Sequence, residues 1–119
     1  MAYVDGFVIP VPRARLEDYK EMSRQCGEIW RELGALEFRE CVGDDVKPGK
    51  LTSFPQSVML QDDEVTVFSW IIYASRAQRD EINRKIMDDP RMAVFMKPEN
   101  IPFDGKRMIY GGFEMVVDL

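Results

Sequence analysis

The segment at residues 64–74, EVTVFSWIIYA, constrains the fold more than any other part of this chain. It is rich in β-branched and aromatic residues and is charged only at Glu64, which predicts a strand with apolar side chains on both faces. We expect both faces of this strand to be buried. The fold must therefore place this strand inside a sheet and cover both faces of the sheet there.

Hydrophobic periodicity predicts the elements that precede this strand. An apolar run at 3–11 predicts a first strand, and apolar residues at steps of three and four predict an amphipathic helix over 16–33. Gly34 then supplies a residue that tolerates the left-handed conformation of a helix end. Alternation over 35–42 predicts a second strand, and the Pro- and Gly-rich stretch at 43–55 predicts a loop.

A second helix is predicted after the long strand. Ser75 and Gln78 have the capping-box spacing, and the helix should weaken at Asp89 because the residue before a proline disfavours the helical region. The residues after Pro90 predict only a short helical turn, since prolines recur at positions 98 and 102.

The stretch FDGKRMIYGGFE at 103–114 contains three glycines without forming a phosphate-binding motif. A GxxxxGK loop needs Ser or Thr after its lysine, but Lys106 precedes Arg107. Asp104-Gly105 instead predicts a turn before a last strand. Gly111-Gly112 lies inside that strand, where we favour a bulge over a bend or the close approach of another backbone or a ligand.

The element order is strand, helix, strand, strand, helix, strand, in one domain over residues 1–119. This order predicts an α+β fold, the ferredoxin-like βαββαβ antiparallel sheet with both helices on one face. The other face would carry Phe68, Trp70 and Ile72, an apolar surface typical of an interface. We therefore expect a homodimer in which two sheets pack face to face, a dimeric α/β barrel.

Five long motifs add a resemblance to a known family. VDGFVIPVP, WRELGALEFRECVGDDV, PGKLTSFPQSV, FSWIIYASRAQRD and PFDGKRMIYGGFE resemble, in that order, the bacterial YbaA-like family, or domain of unknown function 1428. The resemblance covers nearly the whole chain and implies a fold similar to the dimeric α/β barrels. It implies no particular chemistry, because the function of the family is not established.

Composition excludes several classes of function. The chain has no histidine, which removes His-based catalytic groups and His-containing metal sites, and we predict neither a metal nor a cofactor. A net charge of −5 argues against nucleic-acid binding. No apolar run is long enough to span a membrane and the N-terminus does not resemble a signal peptide, so we expect a cytoplasmic protein.

Glu40 is the main candidate for chemistry, together with Tyr110. Its alternation partners on the second strand are apolar, so its carboxyl group is expected on a buried face, where a raised pKa suits a general acid or base. The simpler interpretation, which we favour, is a structural ion pair with an arginine such as Arg39 or Arg107. Asp5 also interrupts an apolar strand and extends this candidate polar pocket.

Aromatic residues and one loop are candidates for ligand binding. Trp30, Trp70 and Tyr110 either line an aromatic cavity or only fill the core. Ser53 and Phe54 either form a lid over a pocket mouth or only shape a long connection.

Three functions remain open from the sequence. The first is binding of a small molecule in a pocket between sheet and helices. The second is a cofactor-independent enzyme, similar to the monooxygenases and isomerases of the dimeric α/β barrel class. The third is docking of a protein or RNA partner.

Overall fold

Strand β3, Glu64–Tyr73, lies inside the sheet, as its sequence predicts. The computed structural model describes residues 1–119 and contains one antiparallel sheet of four strands in the order β2-β3-β1-β4. The other strands are β1 (Tyr3–Pro12), β2 (Glu37–Val42) and β4 (Ile109–Glu114). The helices are α1 (Leu16–Glu32), α2 (Phe54–Ser57), α3 (Arg76–Asp88) and α4 (Pro90–Phe95), with 3₁₀ turns at Arg13–Arg15 and Pro98–Asn100. The fold is α+β.

One face of the sheet is covered by helices. On β3 the alternate residues on this side are all buried, and they pack against apolar side chains of α1 and α3 in two clusters. The buried residues of β3 on this side are Val65, Val67, Ser69, Ile71 and Tyr73. This helix-covered face is the hydrophobic core of the chain.

The opposite face, which we call the open face, is only partly covered. Phe68 is 43% exposed, and Trp70 and Ile72 are half-buried. The expectation that both faces of β3 are buried is therefore wrong for the single chain. The reason is that α1, α3 and α4 all pack on one side, and only a loop reaches the other.

That loop precedes β3 and covers one end of the open face. Val58 is fully buried, and the ring of Phe54 packs edge-on against Phe68 with centroids 5.7 Å apart. Ser53 caps α2, since its side chain accepts a hydrogen bond from the backbone N–H of Gln56. The loop thus belongs to the side of the sheet away from α1.

The ends of the long helices follow the predicted signals. Gly34 has a φ of 121° directly after the end of α1, a conformation that glycine adopts without strain. Ser75 is the N-cap of α3, and its hydroxyl accepts a hydrogen bond of 3.1 Å from the backbone N–H of Gln78. Helix α3 ends at Asp88, before Pro90 opens α4.

The glycine pair in β4 does not form the bulge that the sequence suggested. Residues 109–114 pair with β1 in unbroken register, with Gly111 opposite Gly6 and Gly112 opposite Asp5. A Cβ atom on Gly112 would lie 2.5 Å from the hydroxyl of Tyr3. Gly112 is required because the Tyr3 ring lies against the strand.

None of the helices combines the length and the apolar character that a membrane span requires.

Candidate functional site

A cavity of about 310 Å³ lies between the sheet and helices α1 and α4. Of the 19 residues that line it, 15 are hydrophobic. Its walls come from β1, α1, β2, β3, α4 and the segment before β4. The lining residues are Phe7, Ile9, Tyr19, Met22, Ser23, Cys26, Trp30, Phe38, Arg39, Glu40, Ser69, Trp70, Ile71, Met92, Phe95, Met96, Ile101, Phe103 and Met108.

Helix α1 supplies one wall through a single stripe. Tyr19, Ser23, Cys26 and Trp30 follow at steps of four, three and four residues, which places their side chains on the same side of the helix. Gly27 lies beside this stripe and allows the sheet to come close, because a Cβ atom there would be 2.6 Å from the ring of Phe38. Close packing of α1 on β2 thus shapes the cavity.

Strand β2 brings a carboxylate to this wall. Glu40 pairs with Ser69 of β3, so its side chain lies on the helix-covered face of the sheet. The hydroxyl of Tyr19 donates a hydrogen bond of 2.7 Å to its carboxylate. The Ser23 hydroxyl also faces the carboxylate, but it is buried and makes no hydrogen bond of acceptable geometry. These three residues form what we call the polar end of the cavity.

The electrostatics of the polar end are dominated by burial. Glu40 belongs to an edge strand and is exposed as a residue, but its carboxyl end is enclosed, and this desolvation raises its pKa while the Tyr19 hydroxyl partly offsets the rise. Burial and the Glu40 carboxylate raise the pKa of Tyr19, which keeps it a hydrogen-bond donor. Burial, followed by the same carboxylate, raises the pKa of Cys26 to about 11.

The favoured ion pair of Glu40 with an arginine is wrong. Arg107 pairs instead with Glu64, and Arg39 pairs with Glu37 at 3.9 Å. The reason is the pleat of β2: Arg39 and Glu37 share the face opposite to Glu40. No cation lies within ion-pair distance of Glu40, so its carboxylate is held by a phenol alone.

The other residues predicted as site residues fall into two groups. Trp30, Trp70 and Arg39 line the cavity with Glu40, although the alternation of the strands directs the side chains of Trp70 and Arg39 to the open face. Trp30 donates a hydrogen bond of 3.2 Å from Nε1 to the hydroxyl of Tyr73.

The second group lies outside the cavity. Asp5 is buried beside Arg79, 3.2 Å away, and desolvation raises its pKa although that guanidinium lowers it. Tyr110 is 72% exposed and stacks on Phe7. Ser53 and Phe54 belong to the loop on the open face and do not reach the cavity.

Two residues of the polar end were not among the predicted site residues. Tyr19 lies in the apolar stripe of the predicted first helix, which gives no sign of a polar contact. Ser23 lies in the same stripe, and a hydroxyl inside an otherwise apolar stripe is a signal that sequence analysis can detect. Their relation to Glu40 depends on how α1 packs on β2, which the sequence does not display.

No group of three or more histidine, cysteine or acidic side chains is arranged to hold a metal ion. The polar end presents a carboxyl group, a phenol and a hydroxyl, and the Cys26 thiol lines the cavity beside them. Such a set can accept and donate hydrogen bonds and move a proton.

Comparison with known proteins places this chain among uncharacterised relatives. Residues 2–105 match the family model described as "Protein of unknown function (DUF1428)". The chain is 49% identical over 118 residues, 99% of each chain, to "Uncharacterized protein YbaA" of Escherichia coli strain K12. The proteins of the same name in Escherichia coli O157:H7 and Shigella flexneri match to the same extent.

Proposed function

The chain belongs to the DUF1428 family of proteins of unknown function, and from the geometry of the cavity we propose that it binds a small, largely apolar molecule between its sheet and helices. The observation that carries this proposal is the cavity itself. Its volume of about 310 Å³ lies at the lower end of the range for small-molecule sites. The expected ligand is therefore small.

The composition of the wall supports the same proposal. Small-molecule sites combine apolar walls with a few convergent polar groups that orient the ligand. Here 15 of 19 lining residues are hydrophobic, and the polar groups converge where Tyr19, Ser23 and Glu40 meet. The buried Ser23 hydroxyl lies beside the Glu40 carboxylate in the wall of the cavity, where it can also form a hydrogen bond with a ligand atom.

Filling the cavity tests this function. Ser69 is buried at the floor of the cavity, on the strand next to Glu40, and Ser69→Leu reduces the space available to a ligand. Native mass spectrometry of gently purified wild-type protein should detect a small molecule of reproducible mass, and Ser69→Leu should lose it.

The matched control is Thr52→Leu, which adds a similar side chain at an exposed loop position outside the cavity. Retention of the same mass by Thr52→Leu supports binding in the cavity. The proposal fails if Ser69→Leu, folded by circular dichroism, carries the molecule as fully as the wild type.

A cofactor-independent enzyme is the second candidate function. The favouring observation is Glu40, a carboxyl group with a raised pKa that has no cationic partner and faces a cavity of ligand size. A group of this kind can remove a proton from a bound substrate, and Tyr19 can return one. Any turnover found in a substrate screen should fall at least 100-fold in Glu40→Gln, on the scale of general acid–base catalysis, and remain in Tyr110→Phe.

We also propose that the chain adopts a ferredoxin-like fold and forms a homodimer through the open face, as in a dimeric α/β barrel. The strand order β2-β3-β1-β4 and the packing of the long helices on one side support this assignment. The open face supports the dimer because its apolar side chains Phe68, Ile109 and Phe113 are exposed in a single chain.

Sedimentation analysis tests the dimer. Phe68→Glu places a charge at the centre of the open face and should give a monomer, because two such charges would be buried together. Leu51→Glu is the control, since Leu51 is exposed in the loop before β3 and lies off the sheet. A wild-type monomer, or a Phe68→Glu dimer as stable as the wild type, would exclude this interface.

A further inference from the structure

The chemical class of the ligand can be inferred from the partners of the carboxylates in this chain. The two buried carboxylates, Asp5 and Glu64, each have an arginine as partner, at 3.2 Å and 2.6 Å respectively. The carboxyl group of Glu40 has no cation as partner; the Tyr19 hydroxyl donates a hydrogen bond to it, and the Ser23 hydroxyl lies beside it. An ionised carboxylate accepts several hydrogen bonds and favours a cation, so Glu40, which lines the cavity, retains acceptor capacity.

None of the neighbouring basic residues forms an ion pair with Glu40. Lys20 and Arg24 border Glu40 from the outer side of α1, but Lys20 pairs with Glu17 at 3.1 Å, and Arg24 pairs with its helical neighbours Glu21 and Glu28. Arg39 is the only basic residue that lines the cavity, and its charged end pairs with Glu37 across the open face. The cavity therefore presents a negative charge without a free positive one.

Aromatic rings surround the rest of the cavity. Trp30 and Phe38 pack together with centroids 6.0 Å apart, and Phe103 lies edge-on to Tyr19 at 5.8 Å. Faces of aromatic rings attract cations, and the same rings give favourable contact to apolar groups. A cation with an apolar body matches both properties, whereas a carboxylate or phosphate would face Glu40 without a counter-charge.

We propose that the ligand is a small amphipathic amine whose ammonium group binds the Glu40 carboxylate and whose apolar body fills the cavity. This inference rests on the proposed function, because it assigns a chemical class to the ligand of the same cavity. Tyr19 holds the carboxylate in place, and the Ser23 hydroxyl accepts a further hydrogen bond from the ammonium group.

Four probes of similar size separate the two proposals. They share a phenyl ring and a short alkyl chain and differ at one end: phenethylamine, phenethyl alcohol, hydrocinnamate and propylbenzene. Isothermal titration calorimetry with wild-type protein at neutral pH should show the amine binding on the order of tenfold more tightly than the alcohol or the hydrocarbon, the scale of one charge-assisted hydrogen bond.

Two variants locate the effect. Glu40→Gln keeps the shape of the side chain and removes its charge, so the preference for the amine should disappear. Glu81→Gln removes a charge from an exposed pair on α3, away from the cavity, and should keep the preference. If Glu40→Gln does not fold, the wild-type probe series is decisive without it.

The outcomes distinguish failure of this inference from failure of the proposed function. Equal binding of the amine, the alcohol and the hydrocarbon overturns the amine assignment and leaves the cavity as a binding site. Tightest binding of hydrocinnamate does the same. Absence of binding by all four probes counts against the proposed function together with the inference.

Discussion

Glu64 and Glu40 are two carboxylates on neighbouring strands, and they differ in the hydrogen-bond partners that the chain provides. Glu64 is 4% exposed, and its two carboxylate oxygens accept hydrogen bonds from Arg107 at 2.8 Å and 2.6 Å. The backbone N–H of Gln61 donates a further hydrogen bond of 2.8 Å to the same carboxylate. The Glu40 carboxylate accepts one hydrogen bond, from Tyr19. The first group is fully satisfied within the chain, and the second is not.

This difference separates a structural carboxylate from a candidate functional one. Arg107 also donates to the carbonyl oxygens of Val58 and Met59, so the Glu64 pair fastens the loop before β3 to the turn before β4. Breaking it should affect the whole fold. Glu40 links no loop to another element, and it lines the cavity with acceptor capacity that Tyr19 does not use.

The largest effect on stability is expected from Arg107→Met. This substitution leaves the Glu64 carboxylate buried without a cation and frees the loop, and removal of one member of a buried pair is strongly destabilising. The midpoint of urea unfolding should fall severalfold further than in Arg84→Met, which breaks an exposed pair with Glu81. Equal midpoints in the two variants would show that the Glu64 pair is not structural.

Tyr19→Phe should have an intermediate effect. It removes the only hydrogen bond to Glu40 and leaves the ring in place, at a cost of about 1 kcal/mol of unfolding free energy. Urea denaturation measures this cost. Tyr110→Phe serves as the control, because the Tyr110 hydroxyl is on an exposed side chain without a hydrogen bond and its loss should cost almost nothing.

The two carboxylates should also respond to pH with opposite signs. The hydrogen bonds from Arg107 lower the pKa of Glu64, so its contribution to stability is present above the unfolded value of about 4.3 and is lost as pH falls through the lower folded pKa. Burial raises the pKa of Glu40, so its contribution is present below about pH 4.3 and is lost as pH rises through the higher folded pKa.

Unfolding free energies of Glu64→Gln and Glu40→Gln, measured against wild type from acid to neutral pH, test these signs. The advantage of wild type over Glu64→Gln should grow with pH, whereas its advantage over Glu40→Gln should shrink. Two profiles of the same sign would contradict the environment assigned to Glu40.

The strands and helices of this fold could largely be predicted because their signals are local. Periodicity gave β1, α1, β2 and β3, and the Ser75 capping signal gave the start of α3. The bulge predicted at the glycine pair in β4 was wrong. A glycine within a strand is compatible both with a bulge and with close packing of an aromatic ring against the backbone. Only the distant Tyr3 side chain distinguishes the two.

The site was less predictable because its contacts join residues far apart in sequence. Alternation placed Glu40 on the helix-covered face, but charge alone could not assign its partner. Arg107 pairs with Glu64, 43 positions away, because a loop brings them together. Tyr19 reaches Glu40 across 21 positions through the packing of α1 on β2.

The smallest effect is expected at Cys26, which reports the charge of Glu40 from inside the cavity. Its raised pKa, about 11, leaves little thiolate at neutral pH, so alkylation by iodoacetamide should be slow. Because the Glu40 carboxylate is the smaller cause of that rise, after burial, Glu40→Gln should accelerate alkylation by less than about tenfold. Rates are measured in a Cys41→Ser background, since Cys41 is an exposed thiol. Glu81→Gln in that background removes an exposed carboxylate of α3 and should leave the rate unchanged. Acceleration by both variants would indicate general opening of the fold instead of a charge facing Cys26.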